Sequence, residues 1–367
     1  MALGALVLFV LTLSRGVTWN SLPLAAKVAG WDWQPLASQP LVWLLALPLR
    51  VLPAGWIPMA LNLCSAVCAA LVIGILARSI ELLRWRRPLD PDRHWREKLP
   101  GLLAGVLCGL EFSFWQEATA ATGEMLDLLL FAGAVWCLME YRVSEQARWL
   151  DGAALLWGLG LAENWMMGVT FPLFVAAMIW LRRKRILEAW FPVRMCLLGL
   201  AGFSVFLLPP LVNGLGLGSP WSFDEAWRAT LTASRQTFGT LRYCLSGTRW
   251  PMTLGLLAFY LVPVLPCLMR SPEEEAIHRL GVTRQDIWVY RALRAALWLA
   301  CLWLAFDPTL GPRQLAAKYL GLSLPLLSFD YVTALGAGFI AGSILLAPRL
   351  NAKSRRHRDG ASPARPR

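Results

Sequence analysis

The sequence predicts an all-α polytopic membrane protein, and three observations carry this prediction. Hydrophobic residues fill 57% of the 367 positions and charged residues only 16%, which excludes a soluble domain of ordinary composition. About ten apolar segments have or approach the length that crosses a bilayer. The basic residues cluster between these segments on one predicted side of the membrane. The chain therefore resembles a bundle of membrane-spanning helices.

The apolar segments follow one another with short polar connections. They cover residues 2–18, 56–83, 99–115, 121–141, 152–163, 165–181, 195–214, 251–269, 291–306 and 320–347. The two segments that meet at Glu163 and Asn164 are individually short, so an alternative interpretation joins them into one hairpin-like element. The predicted domain covers residues 1–350, and the charged, proline-containing tail 351–367 is predicted to be disordered and cytoplasmic.

The distribution of lysine and arginine predicts the orientation. With the N-terminus inside, the loops 84–98, 142–148, 182–194 and 270–294 are cytoplasmic, and together with the tail they carry most of the 35 lysine and arginine residues. The positive-inside rule favours this orientation. The net charge of +12 then reflects membrane topology, and nucleic-acid binding is not expected.

The first outer loop, residues 19–55, is where we expect the chemistry to converge. It is the first polar segment between two strongly apolar ones, and it holds one acid, Asp32, between Trp31 and Trp33. The two tryptophans either form an apolar wall beside the carboxylate or anchor the loop at the interface, where Trp is common. The apolar run after Pro40 is interrupted by prolines and has about the length of an interfacial or re-entrant segment rather than a span.

Acidic residues gather on the predicted outer face. They are Asp32, Glu111, Glu117, Glu124, Asp127, Glu163, Asp224, Glu225 and Asp307. Ionisable groups inside spans are costly and normally face a cavity or a partner, and Glu124 and Asp127 share one helix face at i, i+3. The group predicts a polar cavity that opens outward. Alternatively, individual acids cap helices or pair with outer arginines.

A second outer loop, residues 215–250, carries arginines at regular spacing. Ser222 to Glu225 form a capping-box pattern for a helix that begins near Phe223. Arg228 and Arg235 then lie seven residues apart on one face. Planar guanidinium groups suit phosphate, although simple snorkelling to lipid headgroups is an equal alternative.

Three stretches resemble a family of GT-C-type membrane glycosyltransferases that includes an ER protein O-mannosyltransferase. FWQEATAATGEMLDLLLFA (114–132) resembles the family's Trp, Ala and Glu-Val-Tyr pattern before an apolar helix, and GLGLAENWM (158–166) resembles its Gly-Leu-x-Leu-Gly-Asn-His segment. Leu-Pro-Pro (208–210), Pro-Trp (220–221) and Arg-Gln (235–236) resemble its next outer loop. The resemblance covers about residues 14–240.

The chain is a divergent relative by this resemblance. Asn20-Ser21-Leu22-Pro23 stands where the family has Asp-x-Gly-Glu, and residues 33–40 replace His-Pro-Pro-Gly-Tyr-Pro. Thr122-Gly123-Glu124 replaces Glu-Val-Tyr, and Glu163-Asn164 replaces Asn-His. The resemblance implies a GT-C-like bundle of about ten transmembrane helices with outer interfacial helices. It also implies a location in the bacterial cytoplasmic (inner) membrane with the active site facing outward.

The resemblance implies transfer of a sugar from a polyprenyl-phosphate donor to a protein or glycan acceptor. Such a transfer needs a carboxylate that takes the acceptor's proton and cations that hold the departing phosphate. Asp32 is the candidate base. The candidate substrate-binding residues are Glu124, Asp127, Glu163, Asn164, Arg228, Arg235 and Gln236.

Two other functions stay open. The first is a catalytically inactive relative that acts as a membrane scaffold or binds lipid-linked sugars. The second, which is less favoured, is a transporter. No cluster of cysteine and histidine has metal-ligand spacing, so no metal ligand is assigned. A divalent cation held by the outer acids is still possible, and no other cofactor is expected. Membrane lipids are partners in every interpretation.

Overall fold

The computed structural model describes residues 1–29, 39–83, 94–164, 166–182, 190–214, 222–247, 250–251, 292, 295–296, 299 and 331–340. Every regular element in this part of the chain is helical, which confirms the all-α class. Predicted spans 251–269 and 291–306, most of 320–347 and the tail 351–367 lie outside the described residues or are covered only at isolated positions. The total of about ten spans therefore stays a prediction.

The helices are α1 (Ala2–Leu11), α2 (Leu22–Val28), α3 (Pro40–Ala46), α4 (Ile57–Leu83), α5 (His94–Leu110), α6 (Phe112–Thr119), α7 (Glu124–Ser144), α8 (Ala147–Glu163), α9 (Met166–Val169), α10 (Phe171–Arg182), α11 (Trp190–Phe203), α12 (Leu208–Gly214), α13 (Phe223–Leu245) and α14 (Tyr331–Ile340). A 3₁₀ turn, Leu47–Val51, extends α3, and another, Ser204–Leu207, joins α11 to α12.

Two continuous helical stretches are long and apolar enough to cross a membrane by length and composition. They are Ile57–Leu82, within α4, and Trp190–Val212, which combines α11, the following 3₁₀ turn and most of α12. A third span results if Lys98–Leu110 and Phe112–Thr119 count together, although they meet at a bend of 72°. These apolar helices are those of a membrane protein.

The predicted span 99–115 is bent in the structure, because the chain turns at Glu111. This residue adopts an extended backbone conformation, and its carboxylate accepts hydrogen bonds from the backbone N–H groups of Ser113 and Phe114 at 3.1 and 2.7 Å. A carboxylate at this position satisfies donors that the first turn leaves open. Glu111 therefore ends one helix and begins α6.

The predicted span 2–18 is also shorter in the structure, where α1 ends at Leu11. The hydroxyl of Thr12 donates to the carbonyl of Leu8 at 2.9 Å, and the chain then turns toward α2. Side-chain hydroxyl groups that bond to the backbone compete with helix continuation. With ten residues, α1 is among the shorter apolar helices rather than the spanning ones.

Three packing regions organise the bundle. The largest surrounds Phe9, Leu76, Phe114 and Leu128 and joins α1, α4, α5, α6, α7 and α14. A second joins α2 and α3 to the start of α4, and a third joins α8, α10 and α11. Helix α4 lies at the centre, because it packs on α1, α5, α6 and α7.

Helices α8 and α11 approach closely through glycines. A methyl group on Gly158 would collide with the carbonyl of Gly199, and one on Gly202 would collide with the carbonyl of Leu155. Small residues let helix backbones approach in a membrane, where van der Waals packing rather than the hydrophobic effect holds helices together. This packing fixes α8, whose last residue, Glu163, lies in the site described next.

Candidate functional site

The structure brings three predicted site residues together where α7 begins and α8 ends. We call Asp127, Glu163 and Asn164 the outer acid cluster. The side-chain amide of Asn164 donates to Oδ2 of Asp127 at 2.7 Å. Asp127 and Glu163 are close enough for their charges to interact. Two buried carboxylates close together are costly, so this arrangement is more typical of a binding site than of a structural contact.

Glu163 reaches from the end of α8 to a distant part of the chain. It is 4% exposed, and its carboxylate accepts the backbone N–H groups of Leu41 and Val42 at 2.7 and 3.0 Å. These are two of the open donors in the first turn of α3. A negative charge at a helix N-terminus also interacts favourably with the helix dipole. Glu163 therefore serves as the cap of α3.

The Asp127 carboxylate has one bonded and one unbonded oxygen. Oδ2 accepts from Asn164, whereas Oδ1 is buried with no hydrogen-bond donor in the part of the chain described. An unsatisfied buried acceptor costs about 1–3 kcal/mol. No lysine or arginine among the described residues forms an ion pair with Asp127 or Glu163. Oδ1 is therefore the atom of the cluster best suited to accept a hydroxyl group or to contact a cation.

Glu124 begins α7 one turn before Asp127. Its backbone N–H donates to the hydroxyl of Thr122 at 3.3 Å. The preceding Gly123 has φ +97°, a conformation that L side chains rarely adopt, and a methyl group there would lie 3.1–3.2 Å from Gln39 and Val42. Glycine thus permits both the turn into α7 and the close approach of α3.

Polar contacts from α4 hold this turn in place. The side-chain oxygen of Asn62 accepts the N–H of Ala121 at 2.9 Å, and its amide donates to the carbonyl of Ser14 at 2.7 Å. Ser65, one turn further along α4, donates to the carbonyl of Glu117 at 2.6 Å. Asn62 is only 1% exposed. A buried and satisfied polar network of this kind fixes one arrangement of the loops around the site.

The arginine helix α13 lies beside this end of the bundle. Its Ser222 and Glu225 form the predicted capping box, so the predicted start at Phe223 is confirmed. The helix packs on α12 and contacts α9, which follows shortly after Asn164. Arg228 is exposed and pairs with Asp224 of its own helix at 2.5 Å.

The remaining α13 candidates, Arg235 and Gln236, are exposed. Asp32, the candidate base, and its neighbours Trp31 and Trp33 lie outside the described residues. The described chain resumes at Gln39, directly before α3.

Two further outer acids have structural contacts. Glu111 caps α6 as described above, and Glu117, which is 7% exposed, accepts a short hydrogen bond from the hydroxyl of Thr122. Both fit the alternative that individual acids cap helices and turns. Within the described residues, no group of three His, Cys, Asp or Glu side chains is arranged to hold a metal ion.

Sequence reasoning missed Gln39, Asn62 and the backbone donors of Leu41 and Val42. Two signals were available. Pro40 is a favoured first residue of a helix, which marks the residues after it as open donors, and Asn62 is a lone amide within a strongly apolar stretch. No signal in the sequence connects Glu163 to α3, because the contact uses backbone groups that every non-proline residue carries.

Comparison with known proteins gives a family match for one segment of the chain. Residues 37–187 match a family model described as the protein O-mannosyl-transferase TMEM260 N-terminal domain. No curated protein and no solved structure matches the chain. The matched segment includes α3, α4, α7 and α8, and therefore the whole outer acid cluster, whereas Asp32 and α13 lie outside it.

The match covers less than half of the chain. It supports an O-mannosyltransferase-like glycosyltransferase family for the segment that builds the cluster. Together with the apolar helices, it supports a membrane protein. The GT-C fold, the donor and the orientation are not part of this finding.

Proposed function

We propose that the protein is a GT-C-like membrane glycosyltransferase that moves a sugar from a polyprenyl-phosphate donor to an acceptor at the outer face of the bacterial cytoplasmic membrane. The observation that carries the proposal is the buried outer acid cluster within the segment that matches the mannosyltransferase model. A glycosyl transfer needs a carboxylate base for the acceptor and polar groups that hold the sugar. The acceptor is a protein or a glycan.

The residues take separate roles in this proposal. Asp32 is the base that removes the acceptor's proton. Asp127, with Glu124 and the Asn164 amide beside it, holds sugar hydroxyl groups; these same residues would hold a divalent cation if one is bound, and it would supply positive charge for the donor phosphate. The α13 residues Arg228, Arg235 and Gln236 bind the lipid phosphate, for which Arg228 must leave Asp224. Because that pair is exposed, its exchange for phosphate costs little.

A second function is a catalytically inactive relative that binds lipid-linked sugars or acts as a membrane scaffold. The observation that favours it is that two predicted ligands are already occupied, Glu163 by the amides of α3 and Arg228 by Asp224. In this alternative the altered family motifs reflect a lost transfer step.

Transfer by purified protein in proteoliposomes tests the proposal. A panel of radiolabelled polyprenyl-phosphate sugars is offered with peptide and glycan acceptors, and the wild type is compared with Asp32→Asn. We expect transfer by the wild type and loss of most turnover in the variant with donor binding retained, because the amide keeps the shape but cannot accept the proton. Unchanged turnover in Asp32→Asn would exclude this residue as the base.

Donor binding by the wild type without transfer to any acceptor would instead favour the inactive relative. Orientation has its own test, with Ser222→Cys at the start of α13 as the reporter. We expect a membrane-impermeant thiol reagent to label it from outside in sealed cells. Labelling only from the cytoplasmic side would contradict the outward-facing site.

A further inference from the structure

Four helix ends meet at the end of the bundle opposite the outer acid cluster. They are the C-terminal ends of α7 and α10 and the N-terminal ends of α8 and α11. They pack on a small apolar region formed by the buried side chains of Leu150, Met178 and Phe191. We call residues 141–151, 178–182 and 190–195 the inner rim, because this end of the bundle is predicted to face the cytoplasm.

The inner rim is basic. It carries four arginines and two acids, which gives it a net charge of +2. The arginines are Arg142, Arg148, Arg182 and Arg194, and the acids are Glu145 and Asp151. The acid just before the rim, Glu140, is paired with Arg78. The excess of positive charge favours an anionic partner.

Three of these arginines lie on one side of the rim. Arg182 lies over the ring of Phe191, with its guanidinium carbon 4.0 Å from the ring centre. Arg194 follows Phe191 by three residues and therefore shares its face of α11. Arg194 pairs with Asp151 at 2.5 Å, and Arg148 precedes Asp151 by three residues on α8. The three arginines consequently surround the place where the N-terminal ends of α8 and α11 meet.

The fourth arginine, Arg142, lies on the other side of α10. Its guanidinium carbon is 5.4 Å from the ring centre of Trp180. Trp180 and Arg182 are two residues apart, and residues two apart on an α-helix point to nearly opposite sides. Arg142 is therefore a basic residue of the same rim that is separated from the other three.

The first turn of α8 adds backbone donors to the three arginines. Arg148 is the second residue of α8, and Gln146 before the helix forms no side-chain cap. The N–H groups of such a turn and the positive end of the helix dipole favour phosphate oxygens. Planar guanidinium groups bind phosphate through two parallel hydrogen bonds. This side of the rim therefore has the chemistry of a phosphate site.

The surface next to these arginines indicates that the phosphate belongs to a lipid. Trp190, the first residue of α11, is 71% exposed, and tryptophan is common at the level of lipid headgroups. Leu197, seven residues later on the same face, is 56% exposed and belongs to a stretch that is long and apolar enough to cross a membrane. An anion at the start of α11 thus has an apolar surface beside it that suits acyl chains.

We propose that the inner rim binds the phosphate headgroup of an anionic membrane phospholipid through Arg148, Arg182 and Arg194. Because Arg194 also pairs with Asp151, Arg148 and Arg182 are the main partners of the phosphate. Basic pockets between membrane helices on the cytoplasmic side hold such headgroups in other proteins. The inference is independent of sugar transfer, since it concerns the opposite end of the bundle and a different ligand.

Titration of the delipidated protein with lipid tests the site without any need for activity. Purified protein in a neutral detergent is titrated with dioleoyl phosphatidylglycerol or with dioleoyl phosphatidylcholine, and bound lipid is counted by native mass spectrometry. We expect the anionic lipid to bind at least about tenfold more tightly. Equal affinities for the two lipids would overturn the proposal. Glycerol 3-phosphate is a third ligand, and affinity equal to that of phosphatidylglycerol would overturn the assignment to a lipid.

The variant Arg182→Gln locates the site, and Arg142→Gln is its matched control. Each variant removes one arginine that lies on an aromatic ring in the last turn of a helix. We expect Arg182→Gln to weaken phosphatidylglycerol binding roughly fivefold and Arg142→Gln to weaken it less than about twofold. Equal losses would show a general attraction to the charged rim and overturn the site. If Arg182→Gln does not fold, Arg148→Gln decides with the same expected loss, because that side chain is exposed.

Discussion

The two ends of α7 both carry buried acids, but they meet opposite partners. At the C-terminal end, which is predicted to face inward and is called the inner end, Glu140 is paired. Its Oε1 accepts from Nε of Arg78 at 3.0 Å and from the indole N–H of Trp136 at 3.2 Å. At the outer end, Asp127 lies beside a second acid, Glu163, and an amide. Among the described residues, the same helix therefore holds one carboxylate that is paired with a cation and one that lies beside another acid.

This difference indicates that one end of α7 contributes to stability and the other to function. The inner pair connects α4 to α7 and is the expected use of a charge near a membrane, because it has a partner of opposite sign. The outer cluster brings two acids together and leaves a buried oxygen unsatisfied among the described residues. Such an arrangement persists where function requires it and the surrounding packing holds it. We infer that the outer end of α7 lies in the functional site, whereas the ion pair at the inner end stabilises the fold.

The largest expected effect is the loss of transfer in Asp127→Asn. The amide oxygen still accepts from Asn164, but an N–H₂ group takes the place of Oδ1, so the acceptor offered to the sugar is lost. This removes about 1–3 kcal/mol of binding in the transition state. Transfer should fall roughly tenfold to a hundredfold, with little change in thermal stability. Transfer rates and unfolding midpoints measured on the same preparation check this. Retained transfer, or a variant that fails to fold, would remove the distinction between the two ends.

The second effect is expected in Glu140→Gln, where stability falls and transfer stays normal. Arg78 is half exposed and can return to water, whereas Trp136 loses its charged acceptor. We expect a stability loss of about 1–2 kcal/mol and normal transfer per folded molecule. Thermal unfolding in detergent gives the first value and the proteoliposome assay the second. A fall in transfer beyond the fall in folded protein would mean that the inner end also takes part in function.

The third effect concerns Gly123, which separates α3 from α7. Gly123→Ala introduces a side chain at φ +97° and against the Gln39 amide, so we expect destabilisation of at least about 1 kcal/mol and reduced transfer. Gly239→Ala on α13 is the matched control, because nothing lies within 4 Å of its added methyl group and alanine favours a helix. Equal behaviour of the two variants would argue against the close approach of α3.

The smallest effect is a pH dependence at the start of α13. The backbone N–H of Ser222, and then its hydroxyl, donate to the Glu225 carboxylate at 2.9 Å and lower the pKa of Glu225 below its usual value. A lowered pKa means that the cap is fully present above the ordinary glutamate pKa and is lost as the pH falls through the value in the folded protein.

The measurement for this cap is amide exchange of residues 222–228, corrected for the intrinsic pH dependence. We expect exchange in the wild type to become faster as the pH falls below the ordinary glutamate pKa, and a pH-independent, uniformly faster exchange in Glu225→Gln. Identical pH profiles for the two proteins would show that the capping box does not control the start of α13.

The sequence predicted the parts of this picture that depend on local pattern. The Ser222 to Glu225 spacing located the start of α13 at Phe223, and the spacing of Glu124 and Asp127 placed both on α7. The prolines after Gln39 correctly marked a short element rather than a span. Each of these features depends on residues that lie within one or two helical turns of one another.

The parts that depend on distant contacts could not be predicted in the same way. Glu163 meets backbone amides, which have no signature in the sequence, and the compensation of Glu140 by Arg78 joins residues 62 positions apart. A single-sequence pattern shows that an acid lies near a membrane surface, but only the packing of α8 on α7 shows whether its neighbour is a base or another acid. The partners of the acids at the two ends of α7 therefore could not be told apart until the fold was known.

The central claim is that the outer end of α7 is the sugar site, and donor-dependent hydrogen exchange tests it most directly. Purified protein is equilibrated with and without each polyprenyl-phosphate sugar of the panel, and exchange is compared between residues 120–128 at the outer end and residues 137–145 at the inner end. We expect a donor to slow exchange at the outer end only, because bound ligands protect the groups that they contact. Protection at the inner end alone, or no donor that protects either end, would contradict the account.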